Sequence, residues 1–304
     1  MSQLPPGIQV IERGWLSSNN ILIQGEGQST LVDSGYHTHS TQTLQLVNAA
    51  LAGRKLDLLV NTHLHSDHCG GNAVLQATYP GLPTLIPPGL APHVRDWDPV
   101  ALTYGPTGQD CPPFVITGVL QPGGTICMGG EAWQVHAAPG HDPHSVILFE
   151  PLSRVLISAD ALWEAGFGVI FPELDGDAGF ADVGQTLDLI ESLRPLVVIP
   201  GHGKVFTDVA AALAAARKRL SGFVADPRKH AVHAAKVLLK FKLLELQRVG
   251  LPVFVQWAQS AELIMGVHHQ HFAQTPIDQW VKDLSLDLAR SGAAAVEGDW
   301  LVNV

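Results

Sequence analysis

The 304-residue sequence contains little cysteine, little charge and no long apolar segment. Its three cysteines, Cys69, Cys111 and Cys127, are too few and too scattered for a disulfide framework, which favours a reducing compartment. No uninterrupted apolar run approaches membrane-spanning length, and the start lacks the basic and apolar regions of a signal peptide. We therefore expect a cytoplasmic protein that does not associate with membranes.

Charged residues make up only 15% of the chain and hydrophobic residues 46%, which is typical of a globular protein with a large core. The formal net charge of −10 argues against general binding of nucleic acids or anionic membranes. The acidic excess lies in residues 1–204, which hold 7 Lys and Arg against 19 Asp and Glu, whereas residues 205–304 hold 11 against 9. This difference indicates two parts of different character.

Short aliphatic and β-branched runs alternate with helical stretches and Gly/Pro turns up to about Pro200, which predicts a layered α/β protein. After Gly203 the pattern changes to two long helices separated by Asp226-Pro227, the second ending at Gly250. A further helix and a two-stranded hairpin follow. We place a domain boundary near Asp226, between a unit at 1–225 and a C-terminal segment at 226–304.

One stretch, THLHSDHCGGN, is unusually rich in imidazole and directly follows the apolar run LDLLV. Alternate side chains of an extended segment point the same way, so His63 and His65 can converge on one ion. The chain must then turn, and Asp67 and His68 face a different direction. Because imidazole and carboxylate groups are common metal ligands, this arrangement suits two neighbouring ions better than one.

Three more candidate ligands come directly after apolar strands, where side chains emerge at the rim of a sheet. They are His141 after AWQVHAAPG, Asp160 at the end of RVLISAD, and His202 at the end of LVVIPGH. Each alone is an ordinary turn residue, but their recurrence beside the histidine-rich stretch favours metal ligands.

The motifs LVDSG, THLHSDH, APGH, SAD and PGHG, in this order, resemble those of the metallo-β-lactamase superfamily over about residues 8–205. The resemblance implies an αββα sandwich with a metal site at one edge of its two sheets, so that 1–225 is the catalytic domain. The segment 226–304 is then a helical, winged-helix-like extension. By the same resemblance, a first metal is held by His63, His65 and His141, a second by Asp67, His68 and His202, and Asp160 bridges both. Asp33 of LVDSG matches a residue that does not bind the metal itself but orients one of the metal ligands.

Two positions narrow the subgroup. Asp160 stands where the zinc β-lactamases lack a bridging carboxylate, which indicates the branch resembling glyoxalase II and lactonases. His65 stands where the flavodiiron branch has glutamate, which argues against that branch. The resemblance thus predicts a hydrolase that uses two divalent metal ions to cleave an ester, thioester, lactone or amide of a small molecule. We expect Zn²⁺ as the metal, with Fe or Mn as alternatives. A bridging hydroxide would attack the carbonyl, and Asp67 would orient it and shuttle its proton.

The substrate pocket is less well defined by the sequence. Relatives commonly have Thr-x-Gly-Ser after the third motif, whereas this chain has DPHS, so His144 either projects into the site or lies in a polar turn, which we favour. Trp163, Phe167 and Phe171 follow the bridging aspartate. These aromatic residues either line an apolar pocket or fill the core beneath it.

Two other functions stay open. A mononuclear non-haem iron oxygenase, similar to the superfamily's persulfide dioxygenases, would use His63, His65 or His141 together with Asp160. A nucleic-acid-processing or regulatory protein would bind DNA or RNA through the C-terminal segment. The small positive charge of that segment argues against such binding.

For the C-terminal segment we expect a lid over the site or the surface of a homodimer. Its histidine-rich stretch VHHQH, with His268, His269 and His271, has no strand-end partner. We interpret this stretch as a solvated turn or a pocket rim and not as a metal cluster.

Overall fold

The computed structural model describes residues 4–304. The first three residues belong to the start that we interpret as lacking a signal peptide, and they lie outside the described residues. Within residues 4–304, no helix combines the length and the apolar character that crossing a membrane requires.

The first part of the chain forms a six-stranded sheet whose strands are neighbours in chain order. The first three strands pair antiparallel, and the third to the sixth pair parallel. The strands are β1 (Ile8–Ile11), β2 (Asn20–Gln24), β3 (Ser29–Val32), β4 (Leu58–Val60), β5 (Thr84–Ile86) and β6 (Gly118–Val119). The two-residue β6 is too short to leave a periodic pattern, and it was not predicted.

A five-stranded sheet follows, in the order β11-β10-β9-β8-β7, with only β10 and β11 parallel. Its strands are β7 (Thr125–Met128), β8 (Glu131–Ala137), β9 (Val146–Glu150), β10 (Val155–Ala159) and β11 (Val197–Pro200). The two sheets pack face to face, because Val32 and Val60 of one share a buried cluster with Trp133 and Leu148 of the other.

Helices cover the outer face of each sheet. Val47 and Leu75 pack on the first sheet, and Leu187 and Leu213 pack on the second. The helices of this part are α1 (Ser40–Leu51), α2 (Ser66–Cys69), α3 (Asn72–Thr78), α4 (Ala91–Asp96), α5 (Tyr104–Thr107), α6 (Phe171–Leu174), α7 (Gly179–Leu193) and α8 (Val209–Ala225). A 3₁₀ turn over His37–His39 precedes α1. The predicted αββα sandwich is therefore confirmed.

The C-terminal segment is helical and carries a small antiparallel sheet in the order β12-β14-β13. Its elements are α9 (Pro227–Leu246), β12 (Arg248–Gly250), α10 (Leu251–Ser260), α11 (Glu262–His271), α12 (Ile277–Arg290), β13 (Ala294–Glu297) and β14 (Trp300–Asn303). These helices and the small sheet share a buried cluster, which includes Leu239, Phe254 and Trp280 of the helices and Leu301 of β14. The helix-rich extension is confirmed, and the division at Asp226 stays a prediction, since α8 also contacts α9.

Two sequence predictions in this segment were wrong. The long helix does not reach Gly250, because Gln247 has a φ of 61° and the chain continues as β12. The turn alternative for the VHHQH stretch was wrong, because the stretch is the end of α11, where His268 is buried and its Nε2 lies 2.8 Å from the carbonyl oxygen of Thr275. The pocket-rim alternative holds for Val267 and Gln270, which line the cavity described below.

Candidate metal centre

The candidate ligands meet at one edge of the two sheets. His63 and His65 follow β4, Asp67 and His68 lie on the short helix α2, and His141, Asp160 and His202 follow β8, β10 and β11. We call these seven residues the His/Asp cluster. Because the strands end at a common edge, residues more than 130 positions apart in the chain come within hydrogen-bonding distance, as Asp67 and His202 do.

The first group of the cluster consists of three imidazoles. His65 Nδ1 lies 3.1 Å from His63 Nε2 and 2.8 Å from His141 Nε2. Burial and the neighbouring imidazoles lower the pKa of His63 well below its usual value, and burial followed by His141 lowers the pKa of His65 to about 4. The His63 and His65 rings are therefore neutral near pH 7, which leaves their lone pairs available for a metal ion.

The second group consists of Asp67, His68 and His202. Asp67 Oδ2 lies 3.0 Å from His202 Nε2 and 3.8 Å from His68 Nε2. Asp160 stands between the groups, since its Oδ2 lies 3.3 Å from His141 Nε2 and its Oδ1 lies 3.5 Å from His68 Nε2. Burial raises the pKa of Asp160, but the charge of His68 lowers it further, and the result lies well below the usual value.

His68 provides the clearest test of whether a metal fits here. Its side chain is fully buried, and its Nε2 has no hydrogen-bond partner within residues 4–304. Burial lowers the pKa of His68, but Asp160, Asp33 and Asp67 raise it well above its usual value, so this position attracts positive charge. Five imidazoles and two carboxylates form a donor set that Zn²⁺ or Fe²⁺ accepts, and the cluster fits such ions.

Asp33 lies behind the cluster, as the LVDSG motif leads us to expect. Its Oδ2 lies 2.8 Å from His68 Nδ1, and its Oδ1 accepts a hydrogen bond from the Thr62 backbone N–H at 2.9 Å. The Thr62 hydroxyl donates a further bond to Oδ2 at 2.8 Å. These contacts fix the His68 ring with Nε2 facing Asp67 and Asp160.

Two glycines let the backbone approach the cluster closely. A Cβ atom on Gly201 would lie 2.1 Å from Asp160 Oδ1, and one on Gly168 would lie 2.4 Å from His141 Nδ1. Gly201, the first glycine of the PGHG motif, is therefore required by space and not by an unusual φ.

Two residues beside the cluster were missed by sequence reasoning. The Asn19 side-chain amide donates to the carbonyl oxygens of Pro200 and Gly203 at 3.0 and 2.8 Å, which holds the loop that carries His202. The Trp15 ring stacks on the His202 ring at 5.4 Å and 13°. The only signal for Asn19 is a polar SSNN run before β2, and the sequence contains none for Trp15.

A cavity of about 1010 Å³ opens beside the cluster and is lined by Asp67, Trp163, Phe171 and His144, among others. His144 is exposed, and its backbone N–H bonds to Asp142 Oδ1 at 2.7 Å, so it lies in a turn and also faces the cavity. Phe167 does not line the cavity. It is only 1% exposed and belongs to the core beneath the loop, so of the two alternatives the core applies to Phe167 and the pocket does not.

The C-terminal segment supplies one wall of this cavity. Val237 and Phe241 on α9 and Leu263 and Val267 on α11 face it. The His268, His269 and His271 side chains, in contrast, take part in no group of converging metal-ligating atoms within residues 4–304.

Comparison with known proteins identifies the family. The model of the metallo-beta-lactamase superfamily matches residues 13–202, so this chain belongs to that superfamily. Hydroxyacylglutathione hydrolases are similar to it: that of Brucella anthropi is 24% identical over 208 residues, with 68% of this chain and 66% of the relative covered. That of Xylella fastidiosa strain M23 is 28% identical over 199 residues, with 63% and 62% covered. The match thus spans less than two thirds of the length of these relatives.

A solved structure with the same fold covers the C-terminal segment as well. The metallo-beta-lactamase family protein from Thermus thermophilus has a TM-score of 0.60 and 17% identity, covering 99% of this chain and 100% of its own. At this identity the likeness concerns the fold alone. It supports the two-sheet sandwich with its extension.

Proposed function

We propose that this protein is a hydrolase that uses two divalent metal ions to cleave an ester, thioester, lactone or amide of a small molecule. Zinc is the metal we propose before iron or manganese. The observation that carries the proposal is the division of the His/Asp cluster into two groups that share Asp160. His63, His65 and His141 would hold one ion, Asp67, His68 and His202 the other, and Asp160 both. The hydrolase names of the relatives support the reaction class.

When bound, such ions supply a nucleophile from water near neutral pH and polarise a carbonyl group. The residues of the chain keep the donor atoms directed at the ions. His141 Nδ1 bonds to the carbonyl oxygen of Val169, which leaves Nε2 facing the cluster, just as Asp33 does for His68. The Trp163 indole N–H donates to Asp160 Oδ1 at 3.2 Å and restrains this carboxylate. Such outer contacts orient ligands and raise metal affinity.

Asp67 is the residue we propose to orient the attacking water and to take up its proton. Its side chain is 13% exposed and faces the cavity, whereas His68 behind it is fully buried. Burial raises the pKa of Asp67, but His68 and His202 lower it to below its usual value, so this group is a carboxylate near pH 7. An ionised carboxylate next to the reacting carbonyl can hold a proton and pass it to the leaving group.

Metal analysis combined with an activity panel tests the proposal. Protein purified without added metals should contain two ions per chain and should hydrolyse at least one class among thioesters, esters, lactones and β-lactams. Asp160→Asn should lose both metal and hydrolysis, because the shared carboxylate is gone. Asp299→Asn, in an exposed turn of the C-terminal hairpin, is the matched control and should change neither. Hydrolysis that persists after complete loss of metal would refute the proposal, and a single iron without hydrolysis would favour the oxygenase alternative.

A further inference from the structure

A half-buried arginine faces the cavity from α8. Arg219 packs its guanidinium against two aromatic rings, with its Cζ 5.3 Å from the centre of Phe167 and 5.5 Å from that of Phe223. Its Nη2 lies 2.6 Å from His233 Nε2, and both residues line the cavity. The side chain is therefore held in one place by α8, α9 and the loop after β10.

Arg219 has no counterion in the described part of the chain, where no carboxylate oxygen lies within 4.0 Å of its guanidinium. Arg217, two residues earlier on the same helix, faces outward and pairs with Asp188 at 2.6 Å and Glu191 at 2.8 Å. A guanidinium is charged at every physiological pH, and a half-buried charge without a partner is unfavourable. Such an arrangement is typical of a site that receives its counterion from a ligand.

His233 does not compete for the ligand. Burial, followed by the charge of Arg219, lowers the pKa of His233 to about 3, so the ring is neutral and its Nε2 accepts from the guanidinium. The other N–H groups of Arg219 stay available to an anion. A guanidinium donates to an oxyanion through two parallel N–H groups.

The other charges on the cavity wall select among anions. Glu164, Asp175, Asp177 and Glu262 line the cavity, and apart from Arg219 its wall within the described residues carries one lysine, the exposed Lys204. These carboxylates repel a multiply charged anion such as a phosphate more strongly than a singly charged one. The aromatic residues Trp163, Phe171 and Phe241 also line the cavity and suit an apolar body.

We propose that Arg219 determines specificity by binding a carboxylate at the end of the substrate that is remote from the scissile carbonyl. The substrate class is thus an acyl compound with an apolar body and a terminal carboxylate. The reaction in this assignment rests on the proposed hydrolase function, whereas the carboxylate site does not.

Matched substrates test the assignment. Three thioesters with the same medium-chain acyl group are compared on the metal-loaded protein. They differ only at the end far from the thioester, which is a free carboxylate, a primary amide or a phosphate monoester. The carboxylate should give the highest kcat/KM, and Arg219→Gln should lower that value about 10- to 100-fold, mainly through KM, as expected for loss of a charge-assisted hydrogen bond. The amide should be unaffected, Arg219→Lys should restore part of the loss, and Arg217→Gln should behave as wild type.

If Arg219→Gln lowers kcat/KM equally for the carboxylate and the amide substrate, Arg219 has only a structural role and the assignment is wrong. The assignment is also overturned if the wild-type protein hydrolyses the amide or the phosphate substrate as fast as the carboxylate or faster. A binding measurement separates this outcome from failure of the hydrolase proposal. Calorimetric titration of the metal-free protein with 6-phenylhexanoate and with its amide should show tighter binding of the carboxylate in wild type. Arg219→Gln should lose this preference while its circular dichroism is unchanged. Absence of the preference in wild type would refute the carboxylate site even if hydrolysis is found.

Discussion

At the scale of single residues, Asp33 combines an unusual backbone conformation with a key contact. Its φ of 59° lies in the left-handed region, which aspartate and asparagine tolerate better than most side chains. Asparagine is therefore the replacement that keeps the backbone while weakening the bond to His68 Nδ1. We expect Asp33→Asn to weaken metal binding about 10- to 100-fold, measured by competition with a chromophoric chelator.

Asp57, which precedes β4, provides the control for this variant. Asp57 Oδ2 accepts from the Ser29 backbone N–H at 2.9 Å, far from the cluster. Asp57→Asn should leave metal affinity unchanged, and an Asp33→Asn protein with wild-type affinity would show that Asp33 does not position His68.

The residues that sequence reasoning found and those it missed differ in how they reach the site. His63, His65, Asp160 and His202 each follow an apolar strand, and this position marks them as candidate ligands in the sequence. They follow strands of two different sheets, so their meeting at one shared edge was predicted from the family resemblance. Trp15 reaches His202 only through the packing of a loop before β2, which no local pattern encodes.

At the scale of elements, α9 supports the loop that carries ligand contacts. His230 on α9 accepts a hydrogen bond from the Ile170 N–H at 3.2 Å, and the neighbouring Val169 carbonyl bonds to His141. Burial, followed by the charge of Arg219, lowers the pKa of His230 to about 4, against about 6.5 in an unfolded chain.

This difference gives the pH dependence a definite sign. Above pH 6.5 the ring is neutral in both states, and between about 6.5 and 4 only the unfolded chain takes up the proton, so the free energy of unfolding falls as the pH falls. His230→Gln keeps an acceptor for Ile170 but cannot titrate. Urea unfolding of the metal-free protein should therefore show a shallower acid loss in this variant than in wild type. Exposed His269→Gln should follow wild type, and parallel curves for all three proteins would contradict the prediction.

Elements with a strong period were predicted well, and elements without one were not. α8 matches the helix predicted before Asp226-Pro227, and the hairpin over β13 and β14 was also expected. The helices α10 and α11 were not predicted, because Leu251-Pro252 and the polar VHHQH stretch interrupt the helical spacing of their apolar residues. These apolar residues are buried through contacts with α9 and α12, which are distant in the sequence.

At the scale of the whole molecule, the His/Asp cluster joins both sheets, since its residues follow strands of each. An ion held there binds only the folded chain, so it should stabilise the protein by about 4 kcal/mol when its free concentration is 1,000 times its Kd. Removal of metal with a chelator should lower Tm on the order of 10 °C in a calorimetric scan. The Asp160→Asn variant should respond much less, and an unchanged Tm in chelated wild type would contradict a bound ion at this site.

The stacking of Trp15 on His202 has an optical consequence. An indole that lies face to face with an imidazole has its fluorescence altered when that imidazole gains a positive charge, and Trp15 is 57% exposed, so its emission is sensitive to its surroundings. Ion uptake should therefore change the emission spectrum of the protein, with a smaller change in Trp15→Phe. The chain would then carry an intrinsic reporter of loading that needs no dye or label.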